Sequence, residues 1–164
     1  EVSPGAARDA GRTRTEARQL WKLVDRPNLM VKIPGTMEGA PVIREVLAEG
    51  ININVTLLFS IESYARVAEA YVEALAERHA AGKPIDRVAS VAGFFVSRVD
   101  TLVDKLLDQR IAETGNQALA DLKGKAAVAN AQLAYQRFEE IFSGPRWEEL
   151  AGAGARVQRP LWAS

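Results

Sequence analysis

A chain of 164 residues with 48% hydrophobic and 26% charged side chains has the size and composition of one ordinary globular domain, or part of one. Lys plus Arg and Asp plus Glu both number 21, so no net field draws the chain to nucleic acid or an anionic membrane. The absence of cysteine excludes disulfides and thiolate metal sites. The single histidine, His79, argues against zinc sites and Ser-His-Asp triads, and no apolar run approaches the ~18 residues of a membrane span, which together with the lack of a signal peptide points to a cytoplasmic setting.

The chain opens on Glu1-Val2, read as a strand tip, and a turn at Ser3-Pro4-Gly5. Helical periodicity follows over 12–24, with Ala17, Leu20, Trp21 and Val24 on one stripe. An apolar run over 29–33, broken only by Lys32, predicts a buried strand, and Pro34-Gly35-Thr36 a loop. A helix over 41–47 has Pro41 in its first turn and Gly50 just past its end. Residues 51–58 alternate as a strand, and Ser60 is placed to cap a helix running to about Ala80 through Ile61, Tyr64, Ala68, Tyr71 and Leu75. After a connector at Gly82-Lys83-Pro84 comes a strand over 88–96. Helices are expected over 100–109 and 123–142, the second with Val128, Ala131, Tyr135, Phe138 and Ile141 as its buried stripe. Trp147 and Leu150 suggest a further short helix, and 156–163 a last strand. Strands alternating with helices predict βαβ units, a parallel sheet and an α/β fold.

The strands carry polar residues that a parallel sheet covered on both faces should lack. Asn52, Asn54 and Thr56 share one face of their strand, and Ile51, Ile53, Val55 and Leu57 the other. Lys32 shares a face with Met30 and Pro34. Unpaired polar groups cost roughly 1–3 kcal/mol each when buried. A barrel interior opening into a polar site at the strand ends would supply partners. A lysine within such an apolar run is expected to be desolvated, which favours the neutral amine that attacks a ketone to form an imine. The other reading of Lys32 is an edge-strand lysine that snorkels to water or pairs with an acid.

Val31-Lys32-Ile33-Pro34-Gly35-Thr36, followed by Gly50-Ile51-Asn52-Ile53-Asn54-Val55-Thr56-Leu57-Leu58-Phe59-Ser60, resembles the paired signature of transaldolases. The resemblance implies that Lys32 is the Schiff-base lysine and that Asn54 and Thr56 belong to the active site. Phe94-Phe95-Val96-Ser97-Arg98-Val99-Asp100 is similar to the next family strand and makes Arg98 the ligand of a substrate phosphate, with a surface ion pair to Asp100 as the bland alternative. By the same resemblance Glu1 is the acid and base acting through a water, and Ser164 a second phosphate contact. The likeness runs the length of the chain and is to the longer bacterial form. One departure is Gly93, where the family commonly has a serine that contributes to substrate contacts.

The expected architecture is a partial (β/α)8 TIM barrel. Residues 1–164 form a single domain truncated at both ends, running from the third-strand tip into the seventh strand. The implied reaction moves a dihydroxyacetone unit from sedoheptulose 7-phosphate to glyceraldehyde 3-phosphate, within the pentose phosphate pathway and with no metal or organic cofactor. The partners implied are sugar phosphates. A sheet that cannot close leaves unpaired edges that favour self-association into a homo-oligomer, and the chain alone is expected to be a poor enzyme. The alternatives are a fructose 6-phosphate aldolase type of enzyme and a catalytically inactive fragment. His79 is expected to be solvated, and Trp21, Trp147 and Trp162 to serve packing.

Overall fold

The computed structural model describes all of residues 1–164. A short 3-10 turn, Pro4–Ala6, leads into α1, Ala10–Val24, which starts where the Asp9 carboxylate accepts from Arg12 N and stops where Asp25 turns left-handed. Then come β1 (Val31–Pro34), α2 (Gly39–Ala48), β2 (Ile53–Leu58), α3 (Ile61–Ala80) and β3 (Ser90–Phe95). They are followed by α4 (Ser97–Thr114), a second 3-10 turn (Gln117–Leu122), α5 (Ala126–Ile141), α6 (Pro145–Gly152) and β4 (Arg159–Ala163). The four strands form one sheet in the order β1-β2-β3-β4, every pair parallel. Successive strands lying side by side, each returning through helix, is the arrangement of a (β/α)8 barrel. A doubly wound sheet would reverse its strand order at a switch point. The fold is therefore α/β, with the parallel sheet expected of a partial barrel.

One face of the sheet is the core. Val31 and Ile33 of β1, Ile53 and Val55 of β2, and Ala92 and Phe94 of β3 are buried with Val42, Ile43, Val46 and Leu47 of α2 and Val67, Tyr71 and Leu75 of α3. The close seating of the loop after β1 depends on glycine: a Cβ on Gly35 would lie 2.4 Å from Leu58 Cδ2, and one on Gly39 would lie 2.3 Å from the Pro34 carbonyl oxygen. Ser60 caps α3 as expected, its hydroxyl accepting from Ser63 N at 3.1 Å. Tyr71 donates to the Arg156 carbonyl at 2.6 Å, tying α3 to the approach to β4. No helix is long and apolar enough to cross a membrane.

Several expectations are corrected. Val24 is exposed, because α1 packs through Thr13, Ala17, Leu20 and Trp21 and its last turn runs past the core. In α5 the buried face is carried by Ala127 and Ala134 with Phe138 and Ile141 beside them, while Val128 and Tyr135 are half-exposed. Small residues let this helix approach α3 closely, and the larger ones are pushed outward. Leu57 leaves the apolar face of β2: it adopts φ 59°, the β2–β3 register slips between Val55 and Leu58, and its side chain turns to the opposite side. Glu1 and Val2 form no strand, although Val2 N donates to the Lys32 carbonyl at 3.1 Å and so covers part of the β1 edge. His79 is exposed and Trp147 buried, as read from the sequence.

Candidate active site

Alternation along β1 and β2 sends Ile33, Ile53 and Val55 into the core and Lys32, Asn54 and Thr56 to the opposite face. Parallel register then sets Lys32 beside Asn54 and Pro34 beside Thr56. β3 continues the row with Gly93 and Phe95, and β4 with Leu161 and Ala163, which pair with them in turn. These residues, together with Glu1, Val2, Leu57 and Arg98, line one cavity of about 460 Å3 toward the C-terminal ends of the strands. That is the end at which parallel α/β barrels build their sites.

Lys32 is not desolvated as the apolar run suggested. Its side chain is 47% exposed, and Nζ lies 2.9 Å from Glu1 Oε2. The run misleads because only its alternate residues, Val31 and Ile33, face the core. The Lys32 ammonium, through its hydrogen bond and then its charge, holds the Glu1 carboxyl below the usual carboxylate range. Glu1 is itself carried by an anchored segment: Ser3 donates from its backbone N (2.6 Å) and its hydroxyl (2.8 Å) to the Glu16 carboxylate on α1.

Asn54 and Thr56 make no side-chain hydrogen bonds within the chain and present free polar groups to the cavity. Asn52, placed on the same face by alternation, does something else. It is buried before β2 begins, its Oδ1 accepts from Ala89 N (2.9 Å), and its Nδ2 donates to the Pro27 carbonyl. Arg98 stands in the first turn of α4 and forms no ion pair. The expected alternative partner, Asp100, instead accepts from Ala127 N at 2.8 Å. The Arg98 guanidinium lies over the ring of Phe95, 4.7 Å from its centroid. Ser164 follows the cavity-lining Ala163 but is exposed and does not line the cavity.

Three of the six singled-out side chains thus share a sheet face, Glu1 and Arg98 join them, and Ser164 does not. Gly93 is a wall residue, and a Cβ there would meet the Val55 carbonyl oxygen at 3.2 Å. Phe95 and Leu57 were not singled out. Alternation from Gly93 points to Phe95, whereas nothing local announces a leucine with positive φ. No cluster of three or more His, Cys, Asp or Glu residues is arranged to hold a metal ion.

Residues 1–157 match the family model described as Transaldolase/Fructose-6-phosphate aldolase. A transaldolase of Thermobifida fusca (strain YX) is 56% identical over all 164 residues, and the chain covers 44% of that protein. A transaldolase of Mycolicibacterium smegmatis is 51% identical over the whole chain, which covers 43% of it. One of Trichodesmium erythraeum is 49% identical, again over the whole chain and 44% of the relative. The chain therefore spans less than half the length of these relatives. With a family match over nearly its whole length, the chain belongs to the transaldolase/fructose-6-phosphate aldolase family.

Proposed function

We propose that, in a chain of the relatives' full length, these residues carry a transaldolase reaction: transfer of a dihydroxyacetone unit from sedoheptulose 7-phosphate to glyceraldehyde 3-phosphate, giving erythrose 4-phosphate and fructose 6-phosphate. The observation that carries this reading is the pairing of the Lys32 amine with the Glu1 carboxylate beside Asn54, in a cavity that also receives Arg98.

The amine attacks the ketose carbonyl, water leaves, and an imine forms. Loss of the C4 hydroxyl proton to the neighbouring base breaks the C3–C4 bond, releases an aldehyde and sends the electron pair into the imine, giving an enamine that attacks the acceptor aldehyde. Hydrolysis frees the product and regenerates the lysine. Lys32 must lose its proton before it attacks, and Glu1, directly or through a water held with Thr56, is the adjacent acceptor. The ammonium is also the main cause of the lowered Glu1 pKa, so once the lysine is neutral Glu1 is better able to hold the proton it has taken and to return it as water leaves. Asn54 hydrogen-bonds the bound three-carbon unit. Arg98 holds the phosphate, supported by its place in the first turn of α4, where the helix dipole favours an anion. For Ser164 as a second phosphate contact the support is the resemblance alone. The lack of cysteine and the substrate class support a cytoplasmic setting.

The family description also names fructose 6-phosphate aldolases, which release the three-carbon unit instead of transferring it. Product analysis with and without an aldehyde acceptor separates the two. Incubation with fructose 6-phosphate and borohydride is expected to fix an adduct on the peptide containing Lys32. Labelling elsewhere, or none in an active enzyme, sinks the assignment.

A further inference from the structure

Arg98 raises a question that its proposed role does not answer. A long side chain that must meet an anion loses affinity if it has to be ordered at the moment of binding. The usual way to order a guanidinium is a carboxylate, yet a carboxylate beside Arg98 would neutralise the charge the anion needs. Asp100, the acid nearest in sequence on the same helix turn, is turned away to α5, where Oδ1 accepts from Ala127 N. What Arg98 has instead is an aromatic surface. Its guanidinium sits 4.7 Å from the centroid of Phe95. Phe95 is in turn stacked on Phe59, the ring centroids 5.1 Å apart and the planes 17° from parallel.

Phe59 lies outside the cavity, and two features fix it. The preceding Leu57 has left-handed backbone, φ 59°, an uncommon conformation for a branched residue, which breaks the strand alternation just before Phe59. The Phe59 carbonyl then accepts from Asn130 Nδ2 on α5 at 2.9 Å. The kinked end of β2 and the contact from α5 therefore both fix the backbone that carries the Phe59 ring.

We infer that Phe59 is a positioning residue for the anion site: by stacking on Phe95 it holds a cation–π platform that orients Arg98 toward the phosphate of the substrate without neutralising it. This rests on the reading of Arg98 as the phosphate ligand. An aromatic face attracts a guanidinium through its quadrupole and leaves its N–H edge free for bidentate contacts to a phosphate.

The test uses a chain of the relatives' full length. Phe59→Leu, which keeps apolar bulk and removes the stack, is expected to raise KM for fructose 6-phosphate about two- to fivefold, the scale of a partly exposed cation–π contact. Borohydride trapping with unphosphorylated dihydroxyacetone should stay within about twofold, a margin for ordinary surface substitutions. Phe59→Tyr, which restores the stack, should return KM to the starting value. Arg98→Ala serves as the control, and adding Phe59→Leu to it should raise KM no further, because both act on one contact. An unchanged KM in Phe59→Leu while Arg98→Ala raises it overturns the inference alone. So does an equal loss with both substrates, or a tyrosine variant as impaired as the leucine one. If Arg98→Ala itself leaves KM unchanged, the phosphate reading falls and the inference with it.

Discussion

Behind β1 to β3 the sheet is sealed: α2 buries Val42, Ile43, Val46 and Leu47, α3 buries both its tyrosines, and the core-facing residues of the three strands are inaccessible. The far side of the molecule is built differently. None of the 18 residues of α4 is buried, Leu102 and Leu106 lie exposed on it, and β4 exposes Leu161 and Trp162. The cavity straddles this divide. Lys32, Asn54 and Thr56 project from strands locked on their other face, which fits the proposal that they meet a reacting carbon and need close positioning. Arg98 projects from α4, none of whose residues is buried in this chain, and the role proposed for it is to hold a phosphate several bonds away. The imine end of the site is preorganised by packing. The anion end has little packing to rely on, and aromatic stacking takes its place.

The largest effect expected from this contrast is in stability. Ile53 is fully buried between β1, β3 and the helices, and Ile53→Ala should cost about 2–5 kcal/mol, the usual range for a large aliphatic core truncation. Leu106→Ala on α4 should change stability by no more than about 0.5 kcal/mol. Urea unfolding of both variants in one background checks this. Similar losses for the two would mean that α4 is as firmly seated as the sheet, and the contrast would be wrong.

Next comes Arg98. A charge-assisted contact to phosphate is worth about 1.5–3 kcal/mol, so Arg98→Ala should raise KM for phosphorylated sugars by about ten- to a hundredfold. Arg98→Lys should recover only part of this, because an ammonium cannot make the planar, two-point contact. Stability should hardly move, since Arg98 takes part in no ion pair or side-chain hydrogen bond. A large loss of stability in Arg98→Ala would recast the residue as structural.

The same contrast explains what could be read from the sequence. In the sealed half the pattern is dictated by one strong demand, an apolar face against α2 and α3. The centres of β1, β2 and β3, the Ser60 cap and the inward turn of Lys32, Asn54 and Thr56 could all be anticipated from alternation and the family motifs. Alternation does not reveal how open the other face is, so it leaves Lys32 either desolvated or paired with an acid near water, and the structure has the second, with Glu1 as the acid. In the looser half several apolar stripes compete. α5 settles on Ala127 and Ala134 because close approach to its neighbours favours small residues over Val128 and Tyr135. The Leu57 kink depends on the slipped register between β2 and β3 and on Asn130 holding the Phe59 carbonyl, both non-local. Ser164 was placed by resemblance, and its exposure beyond β4 leaves that assignment without geometric support in this chain.

The smallest effect concerns how the acid of the site is held. Val2 N on the Lys32 carbonyl and Ser3 on Glu16 hold the segment that follows Glu1. The Ser3 backbone N–H, then the Arg12 guanidinium and the Ser3 hydroxyl, pull the Glu16 carboxyl from 4.5 down to about 2. A carboxyl whose pKa is depressed in the folded chain contributes stabilisation that is complete above its unfolded value near 4.5 and is lost as pH falls through about 2. Hydrogen exchange at Ser3 N, measured from pH 5 downward and corrected for its intrinsic rate, should therefore show protection fading across that window. Core amides such as Val55 N should stay protected until the chain unfolds. Glu16→Ala, which removes the acceptor, should abolish the pH dependence and leave Ser3 unprotected throughout. Because Glu1 then loses its anchor while Lys32 stays in place, imine trapping should slow by a few-fold with little change in KM, the signature of a misplaced proton acceptor rather than a lost substrate contact. Protection at Ser3 that survives in Glu16→Ala would show instead that the Val2–Lys32 bond seats the segment, and that the proposed acid, Glu1, depends on the sheet and not on α1.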